Sequence, residues 1–247
     1  MSGHSKWAQI KRKKMATDVK KGKLFSKLAQ AISIAAKSSG VDEKANPRLK
    51  MIIEKAKAAN MTKDAIDRAI KRGAGEGVNM ETVLYEGYGS GGVAILVEAL
   101  TDNKNRTVSE VRNIFSKFDG SMGSEGSVKW MFDARGVIVI DNPVNSDQLM
   151  LDAIDAGALD VKQDDRSFEI YSEVSTLSEI SETLKNKGVA ITDTSISYIA
   201  KTEIRIDDES QAKKILNLIN ALEDHDDVSE VYSNFNIDER ILESVTT

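Results

Sequence analysis

Gly136-Val-Ile-Val-Ile140, followed by NPVNSDQLMLDAIDAG (142–157), DVKQDDRSFEIYS (160–172), LSEISETLKNKG (177–188) and AITDTSISYI (190–199), is the stretch whose reading decides the fold. GVIVI is short, apolar and β-branched, and reads as a buried strand. A helix capped near Asn145 or Ser146 and ended at Gly157 follows it. Two strands flank the Asp164-Asp165 turn, a second helix runs through Leu177, Ile180 and Leu184 to Gly188, and a last strand crosses Ala190 to Ile199. The order is β-α-β-β-α-β, that of a ferredoxin-like unit.

Working outward, each flank holds half of another such unit. Upstream, VAILVEAL (Val93–Leu100) is strand material, and Thr107 with Glu110 predicts a capping box opening a helix through Val108, Val111, Phe115 and Phe118. The glycine-rich loop Gly120–Gly126 then leads into SVKWMF, where Val128, Trp130 and Phe132 alternate as one face of a strand. Downstream, TEIRI (Thr202–Ile206), a helix bearing Ala212, Ile215, Leu216, Ile219 and Leu222, and a strand over Val231–Ile237 repeat β-α-β. Two half-domains in series would each lack helical cover, so the halves are expected to join around the central unit.

Before them lie three helices. Leu24, Leu28, Ala31, Ile32 and Ala35 repeat at helical spacing from Gly22 until Ser38-Ser39-Gly40. Asn46 and Pro47 read as N-cap and first helical position of the second, with Leu49, Ile52, Ile53 and Ala56 as its stripe. Thr62 caps the third, which carries Ile66, Ala69 and Ile70 and closes at Gly73. The expected fold is α+β and multidomain: a basic three-helix bundle with an N-terminal tail (1–76), a discontinuous ferredoxin-like domain (77–133 and 201–247), and an inserted ferredoxin-like domain (134–200).

Charge divides along the same line. Residues 1–76 hold 19 Lys and Arg against 7 Asp and Glu, a net +12, while the whole 247-residue chain is at −5. The remainder therefore stands at −17, and a polyanion meets a positive head on a negative body. Without cysteine there are no disulfides, thiolate metal sites or cysteine nucleophiles. No apolar run is long enough for a signal peptide or a membrane span, and the basic leader is Lys-rich where an organellar presequence is Arg-rich.

Several runs together carry a family resemblance. They are Gly3-His4-Ser5-Lys6-Trp7-Ala8 with the basic cluster after it, Ala45-Asn46-Pro47-Arg48-Leu49, Ala69-Ile70-Lys71-Arg72-Gly73, Tyr85-Glu86-Gly87-Tyr88-Gly89, Leu100-Thr101-Asp102-Asn103-Lys104-Asn105-Arg106-Thr107-Val108 and Gly126-Ser127-Val128. With these the chain resembles the YebC/PmpR family, whose bacterial members are described as probable transcriptional regulators and whose mitochondrial relative is a translational activator of a cytochrome oxidase subunit. Ser90 stands where many relatives have proline, and Lys13 and Lys14 stand where they often have histidine. The resemblance implies a helical domain and two α+β domains, one inserted in the other, nucleic-acid binding, a cytoplasmic location and no enzymatic activity.

The candidate nucleic-acid contacts are Lys6, Trp7, Lys11, Arg12, Lys13, Lys14, Lys20, Lys21, Lys23, Lys27, Arg48, Lys71 and Arg72. The cations would neutralise phosphates, and the indole would stack on a base. Residues before Gly22 are expected to order on a polyanion. Lys104 and Arg106, at the start of the helix after Leu100, form a second candidate phosphate site, competing with a reading of the loop as a polar cap. Gly87-Tyr88-Gly89-Ser90-Gly91-Gly92 spells G-x-G-x-x-G but precedes a strand, and reads as a tight inter-domain loop rather than a dinucleotide fingerprint.

His4 and His225 fall in different domains, leaving no metal pair and no triad, and Asp224-His225-Asp226-Asp227 reads as a solvated turn. The expectation is therefore no cofactor, no metal, no catalytic residue and no membrane. The partner is DNA or ribosomal RNA, with a ribosome or another protein on the acidic domains. A third reading has the positive head dock on its own or another acidic body.

Overall fold

The computed structural model describes residues 18–75, 80–141, 143–164 and 167–246. Three helices open them: α1 (Asp18–Ser39), α2 (Pro47–Ala58) and α3 (Lys63–Ala74). Asn46 caps α2 by accepting from the Leu49 N–H at 3.0 Å, and its amide donates to the Ala35 and Gly40 carbonyls at 2.9 and 2.8 Å. One buried side chain thus ends α1 and starts α2. Thr62 caps α3, as its sequence position predicts. Leu28, Ile32, Leu49, Ile53, Ile66 and Ala69 close the bundle core.

Gly73 does not terminate α3, contrary to the sequence expectation. It is buried within the helix, where a Cβ would lie 2.2 Å from the Ser33 carbonyl oxygen and 2.9 Å from the Ala36 Cβ. The glycine is there for close helix packing rather than as a stop.

The body follows as β1 (Glu81–Tyr88), β2 (Ala94–Thr101), α4 (Lys104–Lys117), β3 (Ser121–Met122) and β4 (Phe132–Asp141). After the inserted unit it resumes with β8 (Ile204–Ile206), α7 (Glu209–Glu223), β9 (Val228–Ser233), β10 (Phe235–Ile237) and α8 (Glu239–Thr246). Its sheet has the order β3-β1-β2-β9, antiparallel throughout, while β8 and β10 form a separate parallel pair. Ile95, Val97 and Ala99 of β2 pack with Val111 and Phe115 of α4 and Ile215, Leu218 and Leu222 of α7. The alternate residues Leu96 and Leu100 are buried too, which explains why β2 reads as a continuous apolar run.

Several expectations are corrected here. β1 carries no strand signal in the sequence, since Glu86 and Gly87 break its apolar pattern, yet both are buried. The G-x-G-x-x-G string is the end of β1 and a hairpin loop, not an inter-domain loop, and at Gly87 a Cβ would lie 2.7 Å from Phe115. The strand expected over Ser127–Phe132 is a 3-10 turn at Lys129–Met131 leading into β4. Asn103, not Thr107, caps α4, because Thr107 is drawn inside by buried hydrogen bonds.

The final strand is two, broken at buried Asn234. Its Oδ1 accepts from the Ala94 N–H at 2.8 Å, and its carbonyl accepts from Ile204 at 2.7 Å, switching the chain from one sheet to the other. Helix α8 is a further element that the sequence expectation lacks; its Leu242 completes the body core.

By compactness the chain divides into two units, Met1–Phe132 with Ala200–Thr247, and Asp133–Ile199. The second comprises most of β4, α5 (Ser146–Asp155), β5 (Asp160–Asp164), β6 (Ser167–Ser172), α6 (Leu177–Asn186) and β7 (Asp193–Ala200). Its sheet order β5-β6-β4-β7 is that of a ferredoxin-like unit. Asn145 caps α5, and Gly157 and Gly188 follow α5 and α6 at φ 95° and 83°, where the sequence placed them.

Candidate nucleic-acid interface

Lys6, Trp7, Lys11, Arg12, Lys13 and Lys14 lie outside the described residues, and with them the expected ordering of the tail. Lys20 and Lys21 fall in α1, which starts at Asp18, four residues before the expected Gly22. The remaining candidates fall into three groups.

Some face inward. Lys23 and Lys27, one turn apart on α1, donate to the Asp224 and Glu223 carbonyls at 3.0 and 2.5 Å. These carbonyls end α7, where unpaired C=O groups and the helix dipole favour a cation. Arg72 donates from Nε to Ser33 Oγ at 3.0 Å and from its terminal nitrogen to the Ala29 carbonyl at 3.1 Å, tying α3 to α1.

Others stand against carboxylates. Glu98 of β2 and Glu230 of β9 are opposite each other in register, with Lys55 of α2 3.9 Å from Glu230. Burial pushes the Glu98 carboxyl up from its ordinary range, Arg48 of α2 opposes the shift, and Glu230 adds to it. Bundle cations thus meet acids on the body sheet. Arg48 and Lys71 remain exposed to solvent.

Lys104 and Arg106 belong to the third group. Lys104 Nζ lies 2.8 Å from Glu81, and Arg106 bridges Asp227 at 2.8 Å and Asp102 at 3.1 Å. Asp227 is buried at the end of the turn after α7 and also accepts from Thr107 Oγ1 at 2.7 Å. Burial would raise its carboxyl, but the bonds from Arg106 and Thr107 and the charges of Arg106 and His225 hold it below the usual range. Contrary to expectation, Asp227 is therefore no solvated turn residue. It locks the start of α4.

The same turn brings together Glu110, His225 and Asp227, with potential ligand atoms within 4.8 Å. His225 Nδ1 accepts from the Asp227 N–H at 3.1 Å, and Nε2 lies 2.9 Å from Glu110. With the Asp227 carboxylate held by Arg106 and Thr107, hydrogen bonds account for this cluster without a metal. Nothing in the chain signals it, because Glu110 and His225 are 115 residues apart.

A second feature missed in sequence is the loop 123–131. The Glu86 carboxylate, 2% exposed, accepts from three backbone N–H groups: Gly126 at 2.7 Å, Val128 at 2.6 Å and Lys129 at 2.7 Å. Burial acts to raise its pKa, but these bonds and the Lys129 charge outweigh it and hold the carboxyl below the usual range. Tyr88 donates to the Ser127 carbonyl at 2.8 Å, and so does Trp130 Nε1 at 3.1 Å. The Trp130 side chain itself is exposed.

The fold and these sites define a three-helix basic head fastened to a split α+β body with a ferredoxin-like insert. Residues 5–76 match the model of the TACO1/YebC protein N-terminal domain, and residues 80–235 match that of the TACO1/YebC second and third domain. The chain belongs to the TACO1/YebC family.

It is 51% identical to a probable transcriptional regulatory protein of Trichlorobacter lovleyi, over 96% of each chain. It is 48% identical to one of Halothermothrix orenii, over 100% of this chain and 99% of the other. The crystal structure of a conserved hypothetical protein, Aq1575, from Aquifex aeolicus is similar with a TM-score of 0.86 and 44% identity, covering 91% of this chain and 94% of that one. Among the described residues no helix is long and apolar enough to cross a membrane.

Proposed function

We propose that this chain is a non-enzymatic, nucleic-acid-binding regulatory protein of the cytoplasm, a DNA-binding transcriptional regulator that grips phosphates with its N-terminal part. The carrying observation is the net +12 of residues 1–76 on a chain of net −5. Relatives named probable transcriptional regulatory proteins support the regulatory half of the reading. Labour divides among three parts: 1–76 holds the polyanion, 77–133 with 201–247 carries that head, and 134–200 presents an acidic surface to a protein partner.

Lys23 and Lys27 tie the head to the end of α7, and Arg72 ties α3 to α1. The phosphate grip is accordingly assigned to the tail cations together with Arg48 and Lys71, and Lys104 and Arg106 to a cap rather than a phosphate site. If about six phosphates are neutralised, log affinity for duplex DNA falls with log salt at a slope near −5, and alanine at Lys11 to Lys14 flattens it. An unchanged slope in that variant refutes the assignment.

The second reading is a ribosome-associated translational activator that binds ribosomal RNA through the same head. The exposed indole of Trp130 favours it, since an aromatic face stacks on unpaired bases and not on a closed duplex. Co-sedimentation with ribosomal particles against retention on promoter DNA separates the two.

A further inference from the structure

Trp130 is 66% exposed, and it is the one exposed aromatic side chain among the described residues. Leaving an indole in water forgoes a large burial free energy, yet the surrounding loop is built to hold it there. Three backbone N–H groups converge on the buried Glu86 carboxylate, and Tyr88 pins the Ser127 carbonyl that also receives the indole N–H. On the far side, the Lys201 N–H donates to the Met131 carbonyl at 2.9 Å. The ring's only polar donor is spent inside the loop, so what it offers outward is a π face in a fixed orientation.

Its surroundings narrow the ligand. In the first compact unit the only other exposed large apolar side chain among the described residues is Val41. A protein-docking hot spot would be ringed by further apolar contacts. Trp130 instead follows Lys129, whose side chain is also exposed. A held aromatic face with an exposed cation at the preceding residue matches one nucleotide, the base on the ring and the phosphate on the ammonium.

We infer that Trp130 and Lys129 form a stacking site for one unpaired nucleobase, separate from the N-terminal cations, with Glu86 as the residue that positions it. This site rests on the nucleic-acid reading above and adds to it a preference for single strands. Because no base-edge donor is offered, the site tolerates any base.

The test uses the full chain labelled with 5-fluorotryptophan, the Trp130 resonance being assigned by its loss in Trp130→Phe. Addition of 20-nucleotide oligo(dT) or oligo(U) shifts that resonance, and a duplex of equal length binds without shifting it. Trp130→Ala weakens oligonucleotide binding about 5- to 100-fold, Trp130→Phe by less, and neither changes the circular dichroism, since the side chain is exposed. Oligonucleotide binding within twofold of wild type in Trp130→Ala, with a silent resonance, overturns the site and leaves the nucleic-acid reading standing. Absence of binding to every oligonucleotide and duplex overturns both.

Discussion

Replacing Glu86 by Gln tests how the 123–131 loop is held, and its size follows from the geometry. Oε2 accepts from Val128 and Lys129, and Oε1 accepts from Gly126. A glutamine can set its one oxygen at the Oε2 position, keeping two bonds without charge assistance. Its NH2 then faces the Gly126 N–H, donor against donor. Losing the charge on two bonds and orphaning one N–H costs about 3–4 kcal/mol, from which the easier burial of a neutral amide returns about 1 kcal/mol. The expected destabilisation is about 2–3 kcal/mol.

Urea unfolding at pH 7 measures it, and hydrogen exchange at the Val128 and Lys129 amides localises it. The native carboxyl lies below its unfolded range, so its contribution is complete above that range and fades as pH falls through the native value. The gap between wild type and variant should therefore narrow below about pH 4. A difference under about 0.5 kcal/mol at pH 7, or one that stays constant into acid, refutes this account.

Gly73→Ala drives a methyl into the Ser33 carbonyl and should cost the bundle about 2–3 kcal/mol, read by loss of helical circular dichroism in urea. Replacing Lys23 and Lys27 together by alanine uncovers the end of α7. Since exposed cations at a helix terminus contribute little, about 1 kcal/mol should be lost, with faster proteolysis between bundle and body and a smaller salt dependence of stability. Asp227→Asn weakens the Arg106 and Thr107 bonds and should lower stability by about 1–2 kcal/mol at neutral pH. As the native Asp227 carboxyl is also depressed, that loss should shrink in acid, which urea melts across pH would show.

The Asn46-Pro47 and Thr62 starts, the Asn145 cap, the Gly157 and Gly188 stops and the whole β-α-β-β-α-β insert were legible in the chain, because caps and apolar periodicity act within one or two turns of backbone. So was the charge asymmetry, which needs only counting. Gly73 looked like a stop because a glycine's local freedom is visible in sequence, whereas the neighbour it makes room for is 40 residues away.

Contacts between distant residues decided the rest. Lys23 and Lys27 show in the chain only as cations; that α7, some 200 residues on, presents its carbonyl end to them is decided by the fold. Trp130 reads as a core strand residue until Glu86, about 40 residues before it, gathers the loop backbone and turns the indole outward. A carboxylate's fate depends on which donors the fold brings to it, and periodicity along one segment carries no record of that. Local backbone preference and net charge were thus properties of the sequence alone; which of the described cations are held by oxygens of the protein itself, and which aromatic faces water, only the tertiary structure determined.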